Sequence, residues 1–188
     1  MNTPNRLTVL RVLLVPIFLL FLMIPTIPHH YGLALVIFIV ASITDCLDGH
    51  IARKRGQVTT FGKFLDPLAD KVLVSSALIC FIELGLASSI AVVLIIFREF
   101  MVTSIRLVAS ADGKVIAASI WGKLKTVLQM VAIITILLSR ELTASGLLPA
   151  AFPDVALARG LIWLCAAVTL ISGADYLKAN WDSVNTTR

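Results

Sequence analysis

Residues Leu33 to Ile51 read LALVIFIVASITDCLDGHI, an apolar run that is long enough to span lipid as a helix and that ends in two aspartates. The rest of the chain is similarly apolar. Hydrophobic residues make up 59% of its 188 residues, and the mean hydropathy is +0.97. Both values exceed those of soluble domains. The sequence therefore predicts an all-α integral membrane protein.

Apolar runs of comparable length recur along the chain. They predict six transmembrane helices, near Val9 to Ile24, Leu33 to Ile51, Phe64 to Leu84, Ser89 to Val108, Ile120 to Leu138 and Ala156 to Leu177. Ahead of them, Pro4, Asn5, Thr8 and Arg11 predict a short amino-terminal interfacial helix, because polar groups return there at helical spacing. We expect residues 1–188 to form a single membrane domain.

Basic residues are concentrated at one set of predicted helix ends and loops. This set contains Arg6, Arg11, Arg53, Lys54, Arg55, Lys63, Lys114, Lys123, Lys125, Lys178 and Arg188. The opposite set contains only Arg140 and Arg159. Because cytoplasmic loops of membrane proteins carry the excess of Lys and Arg, both termini and the aspartate segment are predicted to be cytoplasmic.

Four aspartates crowd into one segment of this apolar chain. On helices, Asp45 and Asp48 are spaced i,i+3 and Asp66 and Asp70 are spaced i,i+4, so each pair shares one face. A hard divalent cation would keep four such carboxylates ionised, which predicts a site for Mg²⁺ or Mn²⁺. The alternative is that they are helix caps and interfacial charges, and Asp66 before Pro67 has the form of an N-cap followed by an N1 proline.

The segment DGHIARKRGQVTTFG, residues 48–62, places glycines and basic residues close to the carboxylates. Glycine lets the backbone approach an anion, and arginine binds phosphate oxygens through a planar fork. We favour Arg53 for a metal-bound phosphate because it lies nearest Asp48 and Gly49. Lys54 and Arg55 fit a phosphate contact or a cytoplasmic anchor equally well.

These residues resemble the signature of the CDP-alcohol phosphotransferase family. The matching positions are Asp45, Asp48, Gly49, Ala52, Arg53, Gly62, Asp66 and Asp70. The resemblance implies an integral membrane enzyme that transfers a phosphoalcohol unit from a CDP-linked donor to an acceptor hydroxyl and releases CMP. It also implies a homodimer and a site for two metal ions.

The same resemblance implies roles for individual residues. Asp45, Asp48, Asp66 and Asp70 would ligate metal, and Asp70 would also be the general base for the acceptor hydroxyl. Gly49, Ala52, Arg53 and Gly62 would form the CDP site. The active site would lie at the cytoplasmic side of the membrane.

Three further segments resemble the bacterial phosphatidylglycerophosphate synthases of this family. They are PNRLT with Arg11, where Asn5, Thr8 and Arg11 would hold the CDP end of the donor, REFMVTSIRLVA from Arg98, and WGKLKTVLQMVA from Trp121. The subgroup implies CDP-diacylglycerol as donor, glycerol 3-phosphate as acceptor and a multi-pass protein of the bacterial inner membrane. Arg106, Lys123 and Lys125 would bind the acceptor phosphate, although such residues at helix ends can equally be interfacial anchors.

Arg98 and Glu99 lie deep enough in the fourth predicted span to need partners. Because adjacent residues on a helix do not face each other, we expect each to pair elsewhere. Glu99 is predicted to orient a basic residue, and Arg98 to meet a carboxylate across the bundle.

Two alternatives stay open. The same chemistry could serve another acceptor, as in a cardiolipin, phosphatidylinositol-phosphate or phosphatidylserine synthase. A divalent-cation transporter could also place carboxylates in a helix bundle, but would not require the interleaved Gly49, Ala52, Arg53 and Gly62. Membrane lipid is an expected partner, and nucleic acid is not.

Overall fold

The structure, a computed structural model, describes the backbone of residues 3–55, 60–111, 119–149 and 151–181. It describes the side chains of residues 9–44, 71–110, 119–149 and 151–181. Within these ranges the chain forms six helices: α1 Thr3–Met23, α2 His30–Arg55, α3 Thr60–Glu83, α4 Ser89–Ala111, α5 Ile120–Ala144 and α6 Asp154–Ala179. The all-α prediction is confirmed for the described residues, whereas the six membrane spans stay a prediction.

Local sequence signals explain several of the helix ends. The Ser119 hydroxyl caps α5 by accepting from the Gly122 amide at 3.1 Å. Gly85 follows α3 and Gly146 follows α5, with φ of 71° and 75°. Only glycine adopts this left-handed conformation without a steric penalty, so both residues end their helices and turn the chain back.

The helices pack around one apolar core. α1 contacts α2 and α3, α2 contacts α5, and α6 lies against both α4 and α5. Phe18 of α1 and Phe38 of α2 are fully buried, with ring centroids 5.8 Å apart, and Phe81 of α3 is also fully buried. A smaller cluster of Val102, Ile105 and Tyr176 joins α4 to α6 beside the cavity described below.

The outer faces of the helices are apolar as well. Val36, Val93 and Phe97 are 58%, 62% and 64% exposed. In the described part of the chain, α5 and α6 are long and apolar enough to cross a membrane, with mean hydropathies of 1.6 and 1.9. α4 has similar length but contains Arg98, Glu99 and Arg106.

Polar contacts join three loops at one end of the bundle. His29 lies before α2, and its Nδ1 is 2.6 Å from Oε1 of Glu141 near the end of α5. Arg140 Nη1 donates to Asp154 Oδ2 at 2.6 Å. Arg159 of α6 donates to the Gly85 carbonyl. Arg140 and Arg159, which the sequence assigns to the same side, therefore lie at one end of the bundle.

Two details differ from the sequence-based expectations. The predicted interfacial helix is not a separate element, because α1 runs without a break from Thr3 to Met23. Pro4 is compatible with this continuity, since the first turn of a helix does not use that residue's N–H. α3 begins at Thr60, so Asp66 and Pro67 lie inside the helix and Asp66 is not its N-cap.

Candidate functional site

A cavity of about 560 Å³ lies between α3, α4, α5 and α6. Its polar lining consists of Lys71, Ser75, Arg98, Glu99, Thr103, Arg106, Ser119, Lys123, Lys125, Thr126, Gln129 and Tyr176. Apolar side chains such as Leu78 and Ile95 form the inner wall. The cavity thus combines apolar walls with an array of polar groups, which is typical of a ligand site.

Positive charge dominates the described lining. The cationic residues are Lys71, Arg98, Arg106, Lys123 and Lys125, and the acidic residue among them is Glu99. The three residues predicted from sequence to bind one anion, Arg106, Lys123 and Lys125, therefore do line one cavity. Arg106 and Lys123 are exposed, whereas Lys125 is only 6% exposed.

Glu99 forms the link between two of the cations. Its Oε1 accepts from Lys125 Nζ and lies 3.3 Å from Arg98 Nη1. The side chains of Lys125 and Arg98 are 7% and 5% exposed, so this carboxylate neutralises charge that is largely removed from water. Glu99 thus contacts a basic residue of another helix, as predicted, and its role in orienting that residue stays a prediction.

Arg98 differs from its prediction. Instead of a carboxylate across the bundle, it contacts Glu99 on its own helix and donates from Nη2 to the Ser172 hydroxyl of α6 at 2.7 Å. Its long side chain reaches sideways to Glu99, which the spacing of adjacent backbone positions does not reveal. A hydroxyl is enough because Glu99 already supplies the negative charge.

Lys71 was not anticipated as a lining residue. Its Nζ donates to the Thr103 hydroxyl of α4, and that hydroxyl donates in turn to the Glu99 carbonyl at 2.7 Å. The available signal was its position directly after Asp70 in α3. Lys71 ties the helix that carries Asp66 and Asp70 to the cavity.

Residues of α6 were also missed. Tyr176 is 2% exposed, and its hydroxyl accepts from Arg106 Nε at 3.2 Å. Gln129 of α5 donates to the Thr169 hydroxyl at 3.2 Å, also in the interior. The sequence offered little signal for these contacts, because single polar residues in an apolar helix give no indication of the helix they face.

The four aspartates lie on the backbone of two helices that contact each other, Asp45 and Asp48 on α2 and Asp66 and Asp70 on α3. The helical spacing on which the predicted metal site depends is therefore present in the backbone. Carboxylate oxygens are the donors that Mg²⁺ and Mn²⁺ prefer, so this residue set fits such an ion. Their side chains lie outside the described residues, among which no group of three His, Cys, Asp or Glu could hold a metal ion.

The predicted CDP-binding residues also lie mostly outside the described side chains. Those outside are Asn5, Thr8, Gly49, Ala52, Arg53 and Gly62. Arg11 is described and is 1% exposed on α1. It does not line the cavity between α3 and α6. A guanidinium so deeply placed is a functional candidate, because charge inside an apolar bundle is costly.

Comparison with known proteins gives one consistent result. Residues 1–171 match the model of the CDP-alcohol phosphatidyltransferase family. A Bacillus subtilis (strain 168) protein named CDP-diacylglycerol--glycerol-3-phosphate 3-phosphatidyltransferase is 41% identical, and the match covers 98% of each chain. A Rickettsia typhi protein of the same name is 37% identical, over 95% of this chain and 96% of the relative.

A Mycobacterium tuberculosis (strain ATCC 25618 / H37Rv) protein, named probable phosphatidylglycerophosphate synthase, is 44% identical over 94% of this chain and 80% of its own. The similarity therefore extends over nearly the full length of the chain. Ser172, Gly173 and Tyr176 lie just beyond the residues that the family model matches.

Proposed function

This chain belongs to the CDP-alcohol phosphatidyltransferase family, and on that basis we propose that it transfers the phosphatidyl group of CDP-diacylglycerol to glycerol 3-phosphate. The products are phosphatidylglycerol phosphate and CMP. The observation that carries the choice of acceptor is the cavity between α3 and α6, whose described lining has five cationic side chains and one carboxylate.

Such a lining favours an acceptor that carries a phosphate. Glu99 neutralises part of the charge of Lys125 and Arg98, while Arg106 and Lys123 are exposed at the cavity. A phosphate dianion would satisfy these remaining cations through charge-assisted hydrogen bonds. Serine, free inositol, choline or ethanolamine offers no phosphate, so a cavity of this charge would gain little from binding them.

The chemistry requires activation of the acceptor hydroxyl and departure of CMP. Asp70 takes the proton from the primary hydroxyl of glycerol 3-phosphate. The hydroxyl oxygen then forms a bond to the phosphorus that bears diacylglycerol, and the bond from that phosphorus to the CMP oxygen breaks, so CMP leaves with the electron pair. Lys71 anchors the Asp70 turn of α3 to α4 through Thr103.

Metal ions are expected at the aspartate segment. Asp45, Asp48, Asp66 and Asp70 would hold Mg²⁺ or Mn²⁺, with two ions proposed by family resemblance. When bound, the ions neutralise the pyrophosphate of the donor and its leaving oxygen. The donor's CDP group is proposed to bind Asn5, Thr8, Arg11, Gly49, Ala52, Arg53 and Gly62.

The proposal includes the membrane. The six helices span the bacterial inner membrane, with the first turns of α1 at the interface, both termini in the cytoplasm and residues 1–188 as one domain. The exposed apolar faces of the helices support this arrangement, since such surfaces suit lipid. Two copies form a homodimer.

CMP release by the purified protein tests the proposal. The assay uses lipid micelles, CDP-diacylglycerol and Mg²⁺, and compares glycerol 3-phosphate with serine, inositol phosphate and phosphatidylglycerol. We expect CMP and phosphatidylglycerol phosphate with glycerol 3-phosphate alone. Release with a different acceptor would reassign the cavity, and metal flux across vesicles without CMP release would replace the enzyme by a transporter.

A further inference from the structure

We infer that α6 is the positioning element of the acceptor-phosphate site, in which Tyr176 orients Arg106, and Ser172 with Gly173 seats Arg98. This inference rests on the proposed function, because it assigns the cavity to the phosphate of the acceptor. In the described lining, α6 contributes Tyr176 and no charged residue. Its contribution is to fix cations that α4 supplies.

Tyr176 holds Arg106 in two ways. Its hydroxyl accepts from Nε at 3.2 Å, and its ring lies 5.4 Å from the guanidinium carbon. The ring itself is fixed, because it packs with Val102 and Ile105 and is only 2% exposed. The exposed Arg106 side chain thus packs against a buried tyrosine.

This contact leaves the phosphate-binding edge of Arg106 available. It uses Nε, whereas the two Nη groups carry the other N–H donors of the guanidinium. Among the described contacts of Arg106, Nε is the atom that donates to a protein group. An arginine side chain held in this way loses less conformational entropy when phosphate binds. Arg106 should therefore bind phosphate more tightly than a freely rotating arginine would.

The contact of α6 with Arg98 lies one turn before Tyr176. Ser172 accepts from Arg98 Nη2 at 2.7 Å, and Gly173 allows the Arg98 side chain to pass over it. A Cβ at residue 173 would lie 2.8 Å from Arg98 Cγ, closer than real contacts permit. Arg98 in turn contacts Glu99, which holds Lys125. α6 therefore supports Arg98 and Arg106 of α4 directly, and Lys125 of α5 through Glu99.

Tyr176→Phe tests the contact between Tyr176 and Arg106, since it removes the hydroxyl and keeps the ring. We expect the KM for glycerol 3-phosphate to rise about fivefold, while kcat and the KM for CDP-diacylglycerol stay within about twofold. Tyr31→Phe is the matched control, because the Tyr31 hydroxyl accepts from Arg140 at 3.1 Å and its ring lies 5.1 Å from that guanidinium, at the opposite end of the bundle. Its acceptor KM should not change.

A double-mutant cycle separates positioning from general loosening of the fold. In an Arg106→Lys background, where no guanidinium remains to be oriented, Tyr176→Phe should leave the acceptor KM unchanged. An equal rise in both backgrounds, or no rise in the native background, would overturn the inference. Glycerol 3-phosphate-dependent CMP release by the unmutated protein would still support the proposed function in either case, whereas its absence would overturn both.

Gly173→Ala tests the contact of α6 with Arg98. Gly160→Ala is the control, because a Cβ at residue 160 meets nothing within 4 Å. We expect a raised acceptor KM in Gly173→Ala alone. If that variant does not fold, Ser172→Ala removes the hydroxyl without adding an atom beside Arg98. If the variant that folds, Gly173→Ala or Ser172→Ala, has the same acceptor KM as the native protein, the Arg98 part of the inference is overturned.

Discussion

Glu99 shows how one residue determines the charge balance of the cavity. It contacts Lys125 and Arg98, whose side chains are almost completely removed from water. A carboxylate between two buried cations offsets part of the cost of removing their charge from water. Glu99 therefore keeps the cavity cationic while making that charge tolerable in an apolar bundle.

Glu99→Gln is expected to destabilise the protein. Because it removes the carboxylate that contacts the buried Lys125 and Arg98 side chains, the free energy of unfolding should fall by roughly 3 kcal/mol. Denaturant titration in micelles measures this change. Glu83→Gln, at an exposed position at the end of α3, should change it by less than about 0.5 kcal/mol. If the two variants are equally stable, Glu99 does not stabilise the protein through its contacts with Lys125 and Arg98.

Asp70→Asn is expected to abolish CMP release while the protein still binds CDP-diacylglycerol. The amide cannot accept the proton of the acceptor hydroxyl, whereas donor binding uses other residues as well. Donor binding by the purified variant is measured beside its turnover. Asp175→Asn, at an exposed position on α6, is the control and should retain activity. Turnover by Asp70→Asn at the native rate would refute the assignment of the base.

At the scale of a helix, α4 combines two environments. Val93, Phe97 and Phe100 are more than half exposed on its outer face, while Arg98 and Glu99 face α6 and α5. α4 can carry charged residues within an apolar bundle because each of these two is paired with a neighbouring helix. Helix–helix contacts, and not hydropathy alone, determine where it lies.

The α5–α6 hairpin is held by Asp154. Its carboxylate accepts from Arg140 at 2.6 Å and from the Val155 amide at 2.7 Å. Asp154→Ala should lower the free energy of unfolding by about 2 kcal/mol, since it removes a charge-assisted pair with Arg140 and the acceptor of the Val155 amide. The acceptor KM should stay unchanged, because these contacts lie at the opposite end of the bundle. A raised KM with native stability would contradict this separation.

At the scale of the molecule, the two ends of the bundle are predicted to face different compartments. Leu147 lies in the α5–α6 turn and is 75% exposed, and Lys178 is exposed at the end of α6. In intact cells, Leu147→Cys should react with a membrane-impermeant maleimide, whereas Lys178→Cys should react only after permeabilisation. The reverse pattern would invert the proposed topology.

Much of this architecture follows from the sequence, because helices in long apolar runs and turns at glycines are determined by residues close together in the chain. All six helices nevertheless begin or end beyond the predicted spans. At the end of α5, for example, the polar residues Arg140 and Glu141 continue the helix, where Arg140 pairs with Asp154 and Glu141 accepts from the Gly32 amide. The convergence of Arg106 and Lys123 could be predicted from their shared end of the bundle. The contacts of Arg98 and Tyr176 could not, because they depend on which helices are neighbours.

The cavity between α3 and α6 is proposed to bind the phosphate of the acceptor. The most direct test is the KM for glycerol 3-phosphate of Arg106→Gln, compared with Arg159→Gln, whose arginine contacts the Gly85 carbonyl at the other end of the bundle. We expect the acceptor KM of Arg106→Gln to rise about 10- to 100-fold, with an unchanged KM for CDP-diacylglycerol and no effect in Arg159→Gln. A raised donor KM with an unchanged acceptor KM would contradict it.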